Sequence, residues 1–197
     1  MDQPMVITLI RHGLTENNQK KQYIGWSNPP LLISEENRIR PYTEEVDLVV
    51  GSDLTRCKET AKLLLPNHSY VASEKWREMN FGAWEEKTYN ELTEQTAYQN
   101  WLDDPFHAPV EDGELFSTFS ERIWRAFHES VAQLKTNGGR NLVIITHGGP
   151  IRLVASTCSG TAFFDWNVAP GDGIRLIGQE TDENKFSVEP FFVHSEE

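Results

Sequence analysis

The sequence predicts an α/β fold, a three-layer sandwich with a mostly parallel central sheet and helices on both faces. Strand-like and helix-like segments alternate along the 197 residues, the pattern of helices returning the chain to a parallel sheet. The strongest strand candidates are continuously apolar instead of alternating, which marks strands covered on both sides. A long amphipathic helix stands between two of them. A chain of this length buries roughly 70% of its unfolded surface, so its core needs neither metal nor disulfide. One domain spanning residues 1–197 is the expected organisation.

Val6-Ile7-Thr8-Leu9-Ile10 reads as the first strand and Val46-Asp47-Leu48-Val49-Val50 as the second. Leu54, Cys57, Ala61, Leu64 and Leu65 then recur at helical spacing until Pro66 stops the helix. A weaker strand follows at Ser69 to Ala72. From 84 to 112 the composition changes. Trp84, Tyr89, Tyr98, Trp101, Phe106 and His107 stand among acids, with Pro105 and Pro109 breaking the second half. This is a cap-like helical excursion from the sheet, with a helix from Thr88 to Leu102, and it is too short to hold its own core. Phe116, Phe119, Ile123, Phe127, Val131 and Leu134 make one amphipathic helix from Glu114 to Lys135, closed by Gly138-Gly139. Leu142-Val143-Ile144-Ile145-Thr146 is the clearest strand, and Pro150 in a first turn begins a helix directly after it. Late strands are expected at Gly173 to Ile177 and Phe186 to Val188.

Lys+Arg 18 against Asp+Glu 30 give a net charge of −12. That sign supplies no long-range attraction to nucleic acid or an anionic membrane, so an anionic substrate must be held locally. The start, Met1-Asp2-Gln3-Pro4-Met5, has no positive segment and is followed by only a short apolar run, fitting neither a signal peptide nor a membrane span. Cys57 and Cys158 form no CxxC or CxxH pattern, which fits buried thiols in a reducing cytoplasm.

Each of the three apolar strands runs into a polar cluster: Arg11-His12-Gly13, Ser52-Asp53-Leu54-Thr55-Arg56, and His147-Gly148-Gly149-Pro150. In an open parallel sheet the carboxyl ends share one edge, where ligands bind, so these clusters can meet. Two arginines, two histidines and glycines at a helix start suit a compact dianion such as a phosphoryl group, with Gly148 and Gly149 offering free N–H groups. Uncatalysed phosphate-monoester hydrolysis demands up to ~10²¹-fold acceleration. Binding alone does not supply that; a nucleophile and an acid are needed, and imidazole can divide the step in two by forming a phosphohistidine.

Leu9-Ile10-Arg11-His12-Gly13-Leu14-Thr15-Glu16-Asn17-Asn18 closely resembles the R-H-G-x-T-x-x-N signature of the histidine phosphatase superfamily, whose members include cofactor-dependent phosphoglycerate mutases and many small phosphatases. The resemblance continues through Tyr23-Ile24-Gly25-Trp26, the run from Ser52 to Ala61, the run from Arg77 to Glu85, and Thr146-His147-Gly148-Gly149. It implies a phosphoglycerate mutase-like fold with the helical excursion over the active site. It also implies that His12 is the phosphorylated nucleophile, gripped about its phosphoryl group by Arg11, Arg56 and His147. Asn18 and the Gly148 N–H would add contacts, and Glu78 matches the proton donor. To attack, His12 must be neutral, with one ring nitrogen held as N–H by a main-chain carbonyl; His147 can be cationic against bound phosphate. The pattern departs at Ile33-Ser34-Glu35-Glu36-Asn37, where Asn replaces a common Gly in a turn, at Leu14, where Glu is frequent, and at Gly113-Glu114-Leu115.

The segment from Glu78 to Glu85, with Trp101, Gly113-Glu114 and Phe119, looks particularly like α-ribazole-5′-phosphate phosphatases and related broad-specificity phosphatases. A phosphomonoesterase acting on a small phosphorylated metabolite is expected, with no cofactor. A phosphoglycerate mutase-type isomerase and a non-catalytic phosphate-ligand binder are the alternatives. Between 84 and 112 the only Lys or Arg is Lys87, which disfavours the mutase, since it needs cations for a sugar-acid carboxylate. A metal on His12, His147 and Glu78 is disfavoured by repulsion from Arg11 and Arg56. Glu74, Glu85 and Glu86 compete with Glu78 as acids, and Glu59 is a candidate surface partner for Arg56. The aromatics of the excursion read as packing more than as a substrate box, and His68, His107, His128 and His194 as surface or packing residues.

Overall fold

The computed structural model describes residues 4–178 and 186–192; residues 1–3 and His194 lie outside them. Along the chain come β1 (Met5–Arg11), α1 (Glu16–Gln19), α2 (Glu35–Arg38), β2 (Leu48–Ser52), α3 (Thr55–Leu64) and β3 (Tyr70–Ser73). Then follow α4 (Tyr89–Leu92), α5 (Thr96–Asp103), α6 (Phe116–Thr136), β4 (Asn141–Thr146), α7 (Gly148–Ser159), β5 (Gly173–Gly178) and β6 (Phe186–Phe191). Short 3₁₀ turns occupy Glu74–Trp76, Gly82–Trp84 and Phe163–Asp165. No helix of the described residues is long and apolar enough to cross a membrane.

The strands form one sheet in the order β3-β2-β4-β1-β5-β6. The first four strands in sequence run parallel, and β5 and β6 add an antiparallel edge. Side chains alternate across the pleat, so each apolar strand feeds two cores. Ile7, Leu9, Leu142 and Ile144 pack with α6 and α7 in one layer. Ile10, Val49, Val143 and Ile145 pack with Cys57, Ala61 and Leu64 of α3 in the other. Continuous hydrophobicity thus reports a sheet with helices on both sides.

Several local expectations shift. The second strand begins at Leu48, two residues later than expected, and the Asp47 side chain ahead of it holds β4. Its carboxylate accepts the N–H groups of Arg140 and Asn141 at 2.7 and 2.8 Å, clasping the start of β4. The expected helix from Thr88 to Leu102 is two helices. Thr88 and Glu91 form a capping box that fixes α4, and Gln95 takes an extended backbone (φ −85°, ψ 121°) that restarts the chain as α5. Gln99 satisfies the interrupted turn by donating to the Thr93 carbonyl at 2.8 Å. Trp84, Leu92 and Tyr98 of this excursion are buried in the same cluster as the sheet. Residues 35–38, within the stretch that reads as a turn, form the single helical turn α2, and the buried Glu35 carboxylate accepts the Leu14 N–H at 2.8 Å. Of the two thiols, Cys57 is buried but Cys158 only half-buried.

Candidate active site

The register of two parallel strands brings the site together. Arg11 pairs with Thr146, so the next residues, His12 and His147, leave neighbouring strands side by side, their rings 5.1 Å apart and edge to face. The His12 N–H donates to the Thr146 carbonyl at 2.9 Å, extending the ladder by one bond. Both imidazoles are buried. His12 Nδ1 lies 2.7 Å from the Gly13 carbonyl; a carbonyl only accepts, so Nδ1 carries the hydrogen and Nε2 keeps its lone pair.

Two guanidiniums bracket the pair. Arg56, fully buried at the start of α3, donates through Nη1 to the Ser27 carbonyl at 2.7 Å and through Nη2 to the Gly25 carbonyl at 2.8 Å. Arg11 donates through Nη1 to the Val168 carbonyl at 2.8 Å. The Nε–H groups of both are buried without a protein partner, a donor pattern that suits an oxyanion. Glu59 does not pair with Arg56; its carboxylate accepts the Leu31 N–H.

Glu78 closes the cluster. Its carboxylate accepts the N–H of Met79 at 2.9 Å and that of Gly149, in the first turn of α7, at 2.8 Å. The Gly149 N–H is therefore not the free anion donor expected from the sequence. A Cβ on Gly148 would lie 3.7 Å from Arg11 Nε and 3.9 Å from Glu78 Oε2, so both side chains converge on that stretch of main chain. The rival acids separate cleanly. Glu74 and Glu86 are exposed, and Glu85 is structural, accepting the N–H groups of Gly25, Trp26, Ser27 and Phe81 and the Ser27 hydroxyl. Asn18 Oδ1 caps α1 by accepting from Thr15, and the residue shares a second opening of about 420 Å³ with Arg11.

Burial first, then the charge of Arg56, pushes both imidazoles well below their ordinary value of 6.5; Arg11 adds to both shifts, and His12 adds to that of His147. Without a ligand both rings are neutral at pH 7. Burial likewise pushes the Cys57 thiol, 3.5 Å from His147 Nε2, up to about 12. No group of three or more His, Cys, Asp and Glu among the described residues is arranged to hold a metal ion.

Residues 7–191 match the model of the histidine phosphatase superfamily (branch 1). The chain belongs to that superfamily. This histidine phosphatase is 30% identical over 165 residues to the adenosylcobalamin/alpha-ribazole phosphatase of Escherichia coli (strain K12), covering 79% of this chain and 80% of that one. Among solved structures, the alpha-ribazole phosphatase from Shigella flexneri superposes with a TM-score of 0.83 at 24% identity, over 98% and 100% of the two chains. A phosphoglycerate mutase from Bacillus anthracis str. Sterne superposes with a TM-score of 0.77 at 20% identity, over 95% and 92%. The phosphoglycerate mutase-like fold is thus shared across both reaction types, and the chain is a phosphatase enzyme.

Sequence reasoning missed the parts of this histidine phosphatase that carry no motif. Arg122 on α6 pairs with Glu114 and donates to the carbonyls of Lys75, Arg77 and Glu78 at 2.9, 2.8 and 3.1 Å. The Trp26 indole donates to the same Glu78 carbonyl at 3.0 Å. Only the amphipathic period of α6 bears on Arg122, and it assigns that residue merely to the side away from the core. Arg152 of α7, with Phe163 and Phe164 beyond it, borders a cavity beside Glu78. Trp101 and Phe106 of the excursion line it too, whereas Trp84 and Tyr98 are core.

A Cβ at position 149 would approach Glu78 Oε1 to 2.1 Å and Phe119 Cζ to 3.2 Å. The carboxylate, a movable side-chain end, yields first. With Glu78 in the proton-donor role that the family resemblance implies, Gly149→Ala is expected to lower kcat/KM on an alkyl phosphate by about 10²–10⁴-fold, the usual worth of a positioned acid, while thermal unfolding shifts by only a few degrees. The two depressed imidazoles also set a pH dependence of stability. Above pH 6.5 both native and unfolded rings are neutral; below it the unfolded chain takes up protons that the native one refuses, so stability falls with pH by up to about 1.4 kcal/mol per unit for each ring. Urea unfolding from pH 7 to 5 should show a shallower loss for His147→Gln than for the parent, and saturating inorganic phosphate should flatten the parent's profile.

Proposed function

We propose that the chain is a phosphomonoesterase acting on small phosphorylated metabolites through a covalent phosphohistidine at His12. The observation that carries this reading is the fixed tautomer: Nδ1–H on the Gly13 carbonyl leaves Nε2 of a buried, neutral ring as a nucleophile. Arg11, Arg56, His147, Asn18 and the Gly148 N–H hold the phosphoryl oxygens, and the incoming dianion favours the imidazolium form of His147.

In the first half, His12 Nε2 attacks phosphorus and the ester P–O bond breaks. The electron pair leaves with the alkoxide, which takes a proton from the Glu78 carboxyl. In the second half, the Glu78 carboxylate takes a proton from water as its oxygen attacks phosphorus. The P–N bond breaks, its electron pair returns to Nε2, and inorganic phosphate departs. The same carboxyl serves as acid and then as base, which suits its position beside Arg11 and the start of α7. Hydrolysis is favoured over the mutase-type isomerase by the surroundings of Glu78. Among the described residues Arg152 is the one cation on that cavity wall, and its Nε is committed to the Trp166 carbonyl at 2.8 Å.

Rapid quench with a ³²P-labelled monoester should trap an acid-labile, base-stable phosphoenzyme that is absent in His12→Ala. In the same series, Glu78→Gln should lower kcat/KM by about 10²–10⁴-fold for an alkyl phosphate but under about tenfold for 4-nitrophenyl phosphate, whose leaving oxygen needs little protonation. A phosphoenzyme in His12→Ala, or equal losses on both esters in Glu78→Gln, would reassign the role concerned.

A further inference from the structure

Two openings border the site, and they differ in chemistry. One, of about 420 Å³, is lined by Arg11, Asn18 and Lys21 among others and by no acid among the described residues. The other, of about 550 Å³, has Glu78 and Gly149 on its wall. An acid that protonates the departing oxygen sits beside that oxygen, so the carbon skeleton of the alcohol continues into the second.

That cavity is walled by rings from three separate parts of the chain: Trp101 and Phe106 from the excursion, Phe116 and Phe119 from α6, and Phe163 and Phe164 from the 3₁₀ turn after α7. Four of them, Phe106, Phe116, Phe163 and Phe164, form a connected edge-to-face chain. Phe106 and Phe116 are 4.8 Å apart at 80°, Phe116 and Phe163 5.4 Å at 84°, and Phe163 and Phe164 5.1 Å at 84°. The cluster is not closed to water: Phe164 is 59% exposed, Phe106 38% and Leu102 41%. Large apolar groups open to water beside a catalytic acid mark a ligand surface. Charge sharpens the reading. Asp103 and Asp104 line the same cavity and are exposed, whereas Arg152, its one cation among the described residues, interacts electrostatically with Arg11 at the phosphoryl end.

We infer that the alcohol half of the substrate is an uncharged, aromatic-bearing group packed against Phe106, Phe116 and Phe163, and that alcohols carrying a carboxylate or a second phosphate are rejected. The inference rests on the phosphomonoesterase reading for its orientation, but the cavity can be tested without turnover.

Binding of 2-phenylethylphosphonate, which has no ester bond to cleave, is compared by calorimetry with that of methylphosphonate. The arylalkyl compound should bind at least ~10-fold tighter, and Phe164→Ala, a change at an exposed ring that leaves the core intact, should narrow the gap at least threefold, in line with the worth of partly burying one ring. Equal affinities, or a gap indifferent to Phe164→Ala and Phe106→Ala alike, overturn the inference whether or not the protein hydrolyses anything. Turnover supplies the second arm. The kcat/KM ratio of 2-phenylethyl phosphate to 3-phosphoglycerate should exceed ~100, and Asp103→Asn with Asp104→Asn should reduce it; a ratio near one also overturns the inference. Tight arylalkyl binding without hydrolysis of either ester would sink the phosphomonoesterase reading instead and leave the cavity assignment standing.

Discussion

A guanidinium with no access to water needs partners inside the protein, and the partners of the two Arg56 Nη groups organise the whole site. Its two Nη groups hold the carbonyls of Gly25 and Ser27, while the N–H groups of the same loop are held by the Glu85 carboxylate. Gripped from both sides, the loop presents Trp26, whose indole donates to the carbonyl of Glu78. The Arg122–Glu114 pair secures that segment from α6. Removing one partner from such a buried network leaves the other charge uncompensated, at a cost of several kcal/mol. Arg56 and Glu78 are therefore parts of one connected framework, although they come from distant stretches of chain.

Against a net charge of −12 for the whole chain, this site gathers Arg11, Arg56 and Arg152 near the Glu78 carboxylate. Positive charge concentrated in a poorly solvated pocket suppresses protonation of both imidazoles, burial being the larger cause. The same arrangement makes a dianion the natural complement, since it meets Nε–H groups that have no protein partner and the start of α7. Two neutral imidazoles and a cationic surround suited to an anion follow from one electrostatic arrangement.

Beside this polar centre the aromatic cavity is a second, chemically opposite compartment, with Glu78 at the junction. On the proposed reading, selectivity among phosphoesters depends on what fills the apolar side, because every monoester offers the polar side the same group. The fold leaves that side adjustable: its walls are a 3₁₀ turn, a helix start and the end of the excursion, not strands of the sheet.

The amino-acid sequence by itself determined the layers, the three polar clusters and their meeting at one sheet edge, since apolar runs, helix period and the Arg-His-Gly and His-Gly-Gly motifs are local properties of the chain. It also singled out Glu78, though only through family resemblance. The isolation of Glu78 from Glu74, Glu85 and Glu86 was decided by tertiary structure, because burial and hydrogen-bond partners depend on which segments fold back over them. The same holds for Glu78 capturing the Gly149 N–H and for the Phe106–Phe116–Phe163 cluster. Each arises from contacts between residues far apart in sequence, whose packing no local pattern encodes.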